Sequence, residues 1–224
     1  DCGIKTVLIG NFTWGSMYKS FFGKEIYNVY DDYYKKADVS IWYEIHDKEL
    51  EKITKKSINV SLISRKVDVH NVENIFKEHY QPIIFVTVGA SANIKKPINV
   101  ADLPYDFIIT KGINLIGPNV LRLPDKTINT QDYIAASRYV IAKGGWSTVS
   151  EILLQHKMCC LLKRGYNSED ETTECYLERR HHCIMIEETD LYDIGMLINR
   201  MKRIIPNQYK YYDSTEQVCN ILLR

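Results

Sequence analysis

Two short runs of glycine and hydroxyl-bearing residues have the composition of anion-binding turns. The first, Lys143-Gly144-Gly145-Trp146-Ser147-Thr148, separates a β-branched run from an apolar-periodic one. A strand, a glycine turn and a helix start in this order direct backbone N–H groups and the positive end of a helix dipole to one place. Because glycine adopts φ > 0 and lets a ligand approach the backbone, these residues predict a site for a diphosphate.

The second run is Gly89-Ala90-Ser91-Ala92-Asn93, which follows a predicted strand over residues 83–88. Ligands of open α/β sheets bind beyond the carboxyl ends of the strands, so the two turns can face one crevice. Neither run has the spacing G-x-G-x-x-G or G-x-x-x-x-G-K-[ST]. A Rossmann dinucleotide site and a P-loop ATPase therefore both lack their fingerprint.

The first turn also fits a purely structural interpretation. Thr148 and Glu151 have the spacing of a capping box, in which Thr148 is the N-cap and Glu151 reaches back to its N–H. From spacing alone, the cap is the favoured interpretation, and a ligand role for these two residues is the alternative.

The elements that must position these residues alternate along the chain, because short β-branched runs are separated by longer amphipathic ones. The predicted strands are 6–9, 39–43, 60–63, 83–88, 107–110, 139–142, 159–162 and 183–186. The predicted helices are 69–79, 148–156, 172–180, 191–204 and 214–223. We therefore predict an α/β fold with a Rossmann-like, mainly parallel sheet flanked by helices, whose last helix packs back toward the first segment.

Composition and charge exclude several classes of protein. The chain has 224 residues, which corresponds to one large domain or one and a half, and 45% of them are hydrophobic. Lys and Arg (29) nearly balance Asp and Glu (28), so no broad positive field is available for nucleic acid. The six cysteines include no C-x-x-C, and free thiols of a cytoplasmic protein explain them best.

The quoted turns, together with the residues around them, resemble a known family. Phe85 to Ser91, followed fifty residues later by Ile141 to Glu151, resembles the C-terminal half of GT-B glycosyltransferases related to MurG. The core G-G-x-x-T-x-x-E is fairly specific for that superfamily. The segment Asn11-Phe12-Thr13-Trp14, with Tyr18 after it, is similar to one near the end of the N-terminal domain in a bacterial branch.

The resemblance implies roles for residues of this chain toward a nucleotide sugar, usually one linked to uridine diphosphate (UDP). Glu151 would accept hydrogen bonds from the ribose hydroxyls. The diphosphate would be held by four residues, Gly144, Gly145, Ser147 and Thr148.

The same resemblance assigns the facing loop and the ends of the donor. Gly89 and Ser91 would form the loop that faces the diphosphate turn. Arg65 would neutralise the leaving phosphate, although a solvated arginine at a strand end is an equal alternative. Glu171, in the acidic run from Ser168 to Glu174, is our choice for hydrogen bonding to the sugar hydroxyls. The structural alternative is that it is only an acidic residue at a helix start, where it complements the helix dipole.

Length sets the chain apart from the family. The chain starts at Asp1 with neither a Met nor a leader, so we expect a segment of something longer. We predict that residues 1–56 are a remnant of the N-terminal acceptor domain and that 57–224 are the C-terminal nucleotide-sugar-binding domain. The acceptor site would then be mostly missing, the chain alone could be inactive, and no residue is nominated as the catalytic base.

The expected function is glycosyl transfer from a UDP-linked sugar to an unknown acceptor. We expect neither a metal nor another cofactor, because no Asp-x-Asp occurs and adjacent His181 and His182 lack a third ligand. The alternatives are a non-catalytic nucleotide-sugar-binding subunit of a split transferase and a GT-B-fold sugar epimerase. Besides the nucleotide sugar, the partners that we consider are a second copy of the chain, a separate acceptor-domain subunit, and a membrane that the missing half would contact. We do not expect nucleic acid as a partner.

Overall fold

A computed structural model describes residues 3–89, 92, 94–163, 168–180, 183–205 and 209–223. The strands are β1 (Val7–Gly10), β2 (Val39–Tyr43), β3 (Ser57–Val60), β4 (Ile83–Thr87), β5 (Ile94–Asn99), β6 (Asp106–Ile109), β7 (Ile113–Ile116), β8 (Val120–Arg122), β9 (Tyr139–Lys143), β10 (Met158–Leu162) and β11 (Cys183–Ile186). The α-helices are α1 (Trp14–Phe22), α2 (Lys24–Tyr34), α3 (Val69–Glu78), α4 (Thr130–Ala136), α5 (Trp146–Leu154), α6 (Ser168–Arg180), α7 (Ile194–Lys202) and α8 (Thr215–Leu222). Short 3-10 helices span Lys48–Lys52 and Glu188–Tyr192.

These elements form two compact units. The first comprises the described parts of 1–64, 165–176 and 210–224, and the second comprises those of 65–164 and 177–209. No helix within the described residues is long and apolar enough to cross a membrane.

The first unit is built on a three-stranded parallel sheet in the order β1-β2-β3. Val218 of α8 packs with Ile41 and Val60 in one buried cluster, and Leu62 forms a parallel bridge with Asp213. The C-terminal helix therefore packs back onto the first segment, as predicted. Because β3 pairs with β2, the first segment of this unit extends to residue 64, eight residues beyond the predicted boundary after Lys56.

The second unit contains a six-stranded parallel sheet in the order β11-β10-β9-β4-β6-β8. Within this sheet β4 is first in the chain, so from the β8 edge the strand order is third, second, first, fourth, fifth and sixth. That is the order of a Rossmann sheet, in which the chain direction across the sheet reverses between β4 and β9. The predicted α/β fold with a mainly parallel sheet is confirmed.

Burial explains which elements the sequence pattern identified. The residues 83–86 of β4 and 139–142 of β9 are all buried, as expected for strands covered on both faces. The predictions missed α1, α2, α4, β5, β7 and β8. β8 has only three residues, and β5 and β7 pair in a separate two-stranded sheet. The helices α1 and α2 carry an amphipathic pattern that the predictions overlooked.

A polar network joins the Lys48–Lys52 turn to the first sheet. The imidazole of buried His46 lies 2.5 Å from the Tyr43 carbonyl oxygen and 2.9 Å from the Glu51 carboxylate. Lys48 and Asn59 donate to the same Glu51 oxygen at 2.8 and 3.0 Å. The Lys48 ammonium, with His46 and Asn59, lowers the pKa of Glu51 from 4.5 to about 2.

This lowered pKa predicts a loss of stability in acid. A carboxyl group whose pKa is lower in the folded chain stabilises it above its ordinary pKa, and that contribution is lost as the pH falls toward the folded value. For Glu51 the loss should occur between pH 4.5 and about 2. We expect the free energy of unfolding, measured in urea, to fall less steeply with acidification in Glu51→Gln than in the wild type.

The matched control for this prediction is Glu49→Gln, which removes an exposed pair with Lys52 at 2.7 Å. Exposed pairs contribute little because both charges remain solvated. We expect this variant to follow the wild-type acid profile. Equal slopes for Glu51→Gln and the wild type would contradict the assigned role of Glu51.

Candidate functional site

The two glycine turns meet at the side of the six-stranded sheet where the parallel strands end. The place where β4 and β9 end next to each other is called the β4–β9 edge here. Strands β4 and β9 are neighbours, with Thr87 opposite Ala142 in the register. Gly89 follows the carboxyl end of β4, and Gly144 and Gly145 follow that of β9. The structure therefore brings the turns together where the chain direction across the sheet reverses, which is the position where open α/β sheets bind ligands.

Helix α5 begins two residues earlier than the sequence pattern predicted. Its N-cap is Gly145 (φ −66°, ψ 129°), and no side chain makes a capping hydrogen bond there. Thr148 therefore lies inside the first turn, and the predicted capping box with Glu151 is wrong. Because the N-cap is glycine, no N-cap side chain accepts from the first turn, in which Ser147 is exposed and Thr148 is half-buried.

The three glycines of the turns, Gly89, Gly144 and Gly145, differ in backbone conformation and in the space around them. Gly89 has φ +74°, in the left-handed region that favours glycine, whereas Gly144 and Gly145 do not have positive φ. A Cβ at Gly144 would meet nothing within 4 Å, so that position offers open space for a ligand beside the backbone. The positive φ that glycine allows therefore occurs at Gly89 and not at Gly144 or Gly145.

Glu151 and Arg65 are paired with each other. Arg65 Nε donates to Glu151 Oε1 at 2.7 Å, and Arg65 Nη2 lies 3.2 Å from Oε2, so the contact is bidentate. The carboxylate is 4% exposed and the arginine side chain 49% exposed. A buried carboxylate needs a charged or hydrogen-bonding partner, and the guanidinium supplies it from one side.

Arg65 also contacts the region where α4 begins. It donates to the Thr130 hydroxyl at 2.8 Å and to the Ile128 carbonyl oxygen. Sequence reasoning missed Thr130 and Ile128, and no local pattern could have identified them, because they lie 65 and 63 residues from Arg65. It also did not select Lys143, although this residue opens the quoted glycine run.

Two further predicted residues lie outside the described residues of the second unit. Ser91 lies outside the described residues. Glu171 is exposed in the first turn of α6 and belongs to the first unit. In the same turn Asp170 is buried, and Glu169 accepts from Asn11 at 3.3 Å.

No group of three or more His, Cys, Asp and Glu side chains that could hold a metal ion occurs among the residues that the structure describes. His181 and His182 lie outside those residues. His46, which the sequence left unassigned, is buried and engaged with Glu51, and His70 is exposed near the start of α3.

Comparisons with known proteins identify the fold. No family model and no curated protein matches the sequence. Among solved structures, MurG of Acinetobacter baumannii matches with a TM-score of 0.53 and 10% identity, covering 99% of this chain and 66% of MurG. UGT89C1 of Arabidopsis thaliana, solved with UDP, matches with a TM-score of 0.58 and 9% identity, covering 98% of this chain and 67% of UGT89C1. The chain has the GT-B fold.

The GT-B match is broad within the chain but partial in the known structures. The glycosyltransferase SnogD of Streptomyces nogalater matches with a TM-score of 0.50 and 14% identity, covering 82% of this chain and 56% of SnogD. The chain thus spans a little over half the length of SnogD. In this GT-B chain the glycine turns, Arg65 and Glu151 all belong to the second unit.

We expect the Arg65–Glu151 pair to be energetically coupled. Arg65→Met leaves a buried carboxylate without its partner, which should lower the free energy of unfolding by about 1–3 kcal/mol. Glu151→Gln should cost less, and the double variant should cost less than the sum of the two, as measured by a double-mutant cycle in urea. Lys52→Met, which removes an exposed pair with Glu49, serves as the control and should change little. Strictly additive costs would show that the pair is not coupled.

We expect Gly89 to resist substitution and Gly144 to tolerate it. Gly89→Ala places a Cβ at φ +74° and 3.1 Å from the end of the Lys143 side chain, so the free energy of unfolding should fall by about 1–2 kcal/mol. Gly144→Ala meets open space, so it should change stability by less than about 0.5 kcal/mol. Thermal and urea unfolding of both variants checks this contrast, and equal stabilities would refute it.

Proposed function

We propose that this protein is the donor-binding part of a glycosyltransferase that transfers a sugar from a UDP-linked donor to an acceptor. The observation that carries the proposal is the buried carboxylate of Glu151, which is paired with Arg65. Glu151 lies in α5, the helix that follows the glycine turn at the carboxyl end of β9. The GT-B fold supports a transferase. UGT89C1, one of the matching structures, was solved with UDP and with UDP-L-rhamnose, which supports a uridine nucleotide.

The proposed contacts follow the order of the donor. The ribose hydroxyls donate to Glu151, and the diphosphate lies against the first turn of α5, where the backbone N–H groups have no side-chain cap. Gly89 borders the same crevice, and Ser91 and Glu171 remain our choices, from the resemblance, for contacting the diphosphate and the sugar. Because Arg65 occupies both Glu151 oxygens, we propose that the nucleotide replaces this pair, with ribose at the carboxylate and phosphate at the guanidinium.

The proposed reaction breaks the bond between the anomeric carbon and the diphosphate oxygen and forms a bond from that carbon to an acceptor oxygen. The acceptor proton leaves to a base that we do not assign. Negative charge grows on the departing diphosphate, where the helix N–H groups and Arg65 would stabilise it without a metal. Donors fixed in place before the reaction are effective because they need no reorganisation in the transition state.

The domain roles, partners and location are further parts of this proposal. We propose that the first unit corresponds to the end of an acceptor domain and the second to the nucleotide-sugar-binding domain. Trp14 and Phe21 are 50% and 56% exposed in this chain, which supports a second copy or an acceptor-domain subunit as the partner. Membrane association of a longer protein stays a proposal. The five described cysteines are free, which supports a cytoplasmic location.

The proposal predicts selective binding of UDP. A ligand that binds only the folded chain raises the melting temperature, so UDP should raise it more than GDP or ADP. Glu151→Ala should weaken UDP binding by on the order of tenfold or more, because hydrogen bonds to a charged acceptor contribute about 1.5–3 kcal/mol. Glu151→Gln, which keeps an acceptor oxygen, should fall between. Titration calorimetry measures these affinities.

The control for this titration is Glu78→Ala, an exposed glutamate at the end of α3 that should leave the affinity unchanged. Wild-type affinity in a folded Glu151→Ala variant would remove the ribose role. Binding that EDTA abolishes would contradict metal independence. Nucleotide binding without release of UDP from a UDP-sugar, in the presence of acceptors, would favour the non-catalytic subunit, and a reaction of the sugar without acceptor would favour the epimerase.

A further inference from the structure

Lys143 occupies the space between the two glycine turns. It is the last residue of β9, and its side chain runs alongside Gly89 in the turn of the neighbouring strand. A Cβ built at Gly89 would lie 3.1 Å from each of Lys143 Cδ, Cε and Nζ, and one at Gly145 would lie 3.6 Å from Cε. The lysine therefore crosses the β4–β9 edge, and glycine at position 89 leaves the room that it fills.

The ammonium group of Lys143 differs from those of two other lysines at this sheet edge. Lys111, just beyond β6, lies 3.9 Å from an Asp125 oxygen, and Lys163, just beyond β10, lies 3.2 Å from Glu178. For Lys143, no carboxylate lies within 4.0 Å of Nζ in the part of the chain that the structure describes. The facing run from Gly89 to Asn93 contains no acidic residue either.

An ammonium group with no carboxylate within 4.0 Å among the described residues, beside a helix start whose N-cap is glycine, is suited to an anion. Arg65, the other cation that we assign to this site, is already engaged by Glu151 and Thr130. A lysine ammonium is a compact point charge with three donors and binds phosphate in that form. We propose that Lys143 binds the diphosphate of the nucleotide, bridging the two glycine turns. This inference rests on the proposed function. The Lys143 ammonium would balance most of the negative charge of the diphosphate before Arg65 separates from Glu151.

The test compares UDP, uridine and inorganic pyrophosphate as probes in titration calorimetry. Lys143→Met should weaken binding of UDP and of pyrophosphate by on the order of tenfold or more and leave uridine nearly unchanged. Lys143→Arg keeps the charge but is bulkier beside Gly89, so its affinity for UDP should fall between. Lys111→Met removes a charge from the same sheet edge and should change UDP affinity by less than about twofold, because exposed charges are screened.

The outcomes separate this inference from the proposed function. Equal UDP affinity in the wild type and Lys143→Met would overturn the role of Lys143 and leave the nucleotide site standing. Equal losses for uridine and UDP would also overturn it, because they indicate a structural defect. Pyrophosphate binding that depends on Lys143, without a preference for UDP, would support the lysine and refute the uridine nucleotide. A wild-type chain that binds none of the probes would refute both.

Discussion

The pairing of β4 with β9 is the constraint on which the candidate site depends. These strands are far apart in the chain, yet their register places Thr87 opposite Ala142, so the turns that follow them begin side by side. In a parallel sheet all strands end on the same side. From β4 and β9 the following strands are added in opposite directions across the sheet. The Lys143 side chain occupies the space between these turns, alongside Gly89 and Gly145.

The Arg65–Glu151 pair connects this edge to the rest of the second unit. A carboxylate that is 4% exposed has lost most of its hydration, and the bidentate guanidinium compensates for that loss. Arg65 at the same time contacts Thr130 at the start of α4, so one side chain joins α4 to α5. If a nucleotide replaces this pair, it must supply both a donor for the carboxylate and an anion for the arginine. A ribose diphosphate has both.

The first unit depends on a different kind of closure. Its sheet has three strands, and the C-terminal helix α8 contributes Val218 to the cluster that contains Ile41 and Val60. The chain thus completes its first unit with residues from its last segment. Such long-range closure explains why the boundary between the units differs from the one that composition indicated, since β3 begins at Ser57 but pairs with β2.

The sequence by itself determined the α/β class, the strands Val39–Tyr43 and Cys183–Ile186 and the positions of both glycine turns, because these depend on local periodicity and on glycine at strand ends. It could not decide the role of Glu151. The capping box and a ligand role both fit the local spacing, and only the fold brings Arg65, 86 residues away, to the carboxylate. The missed helices α1 and α2 do carry a local amphipathic pattern. The contact of Lys143 with Gly89, like that of Arg65 with Glu151, could not be predicted, since side-chain neighbours are set by tertiary packing.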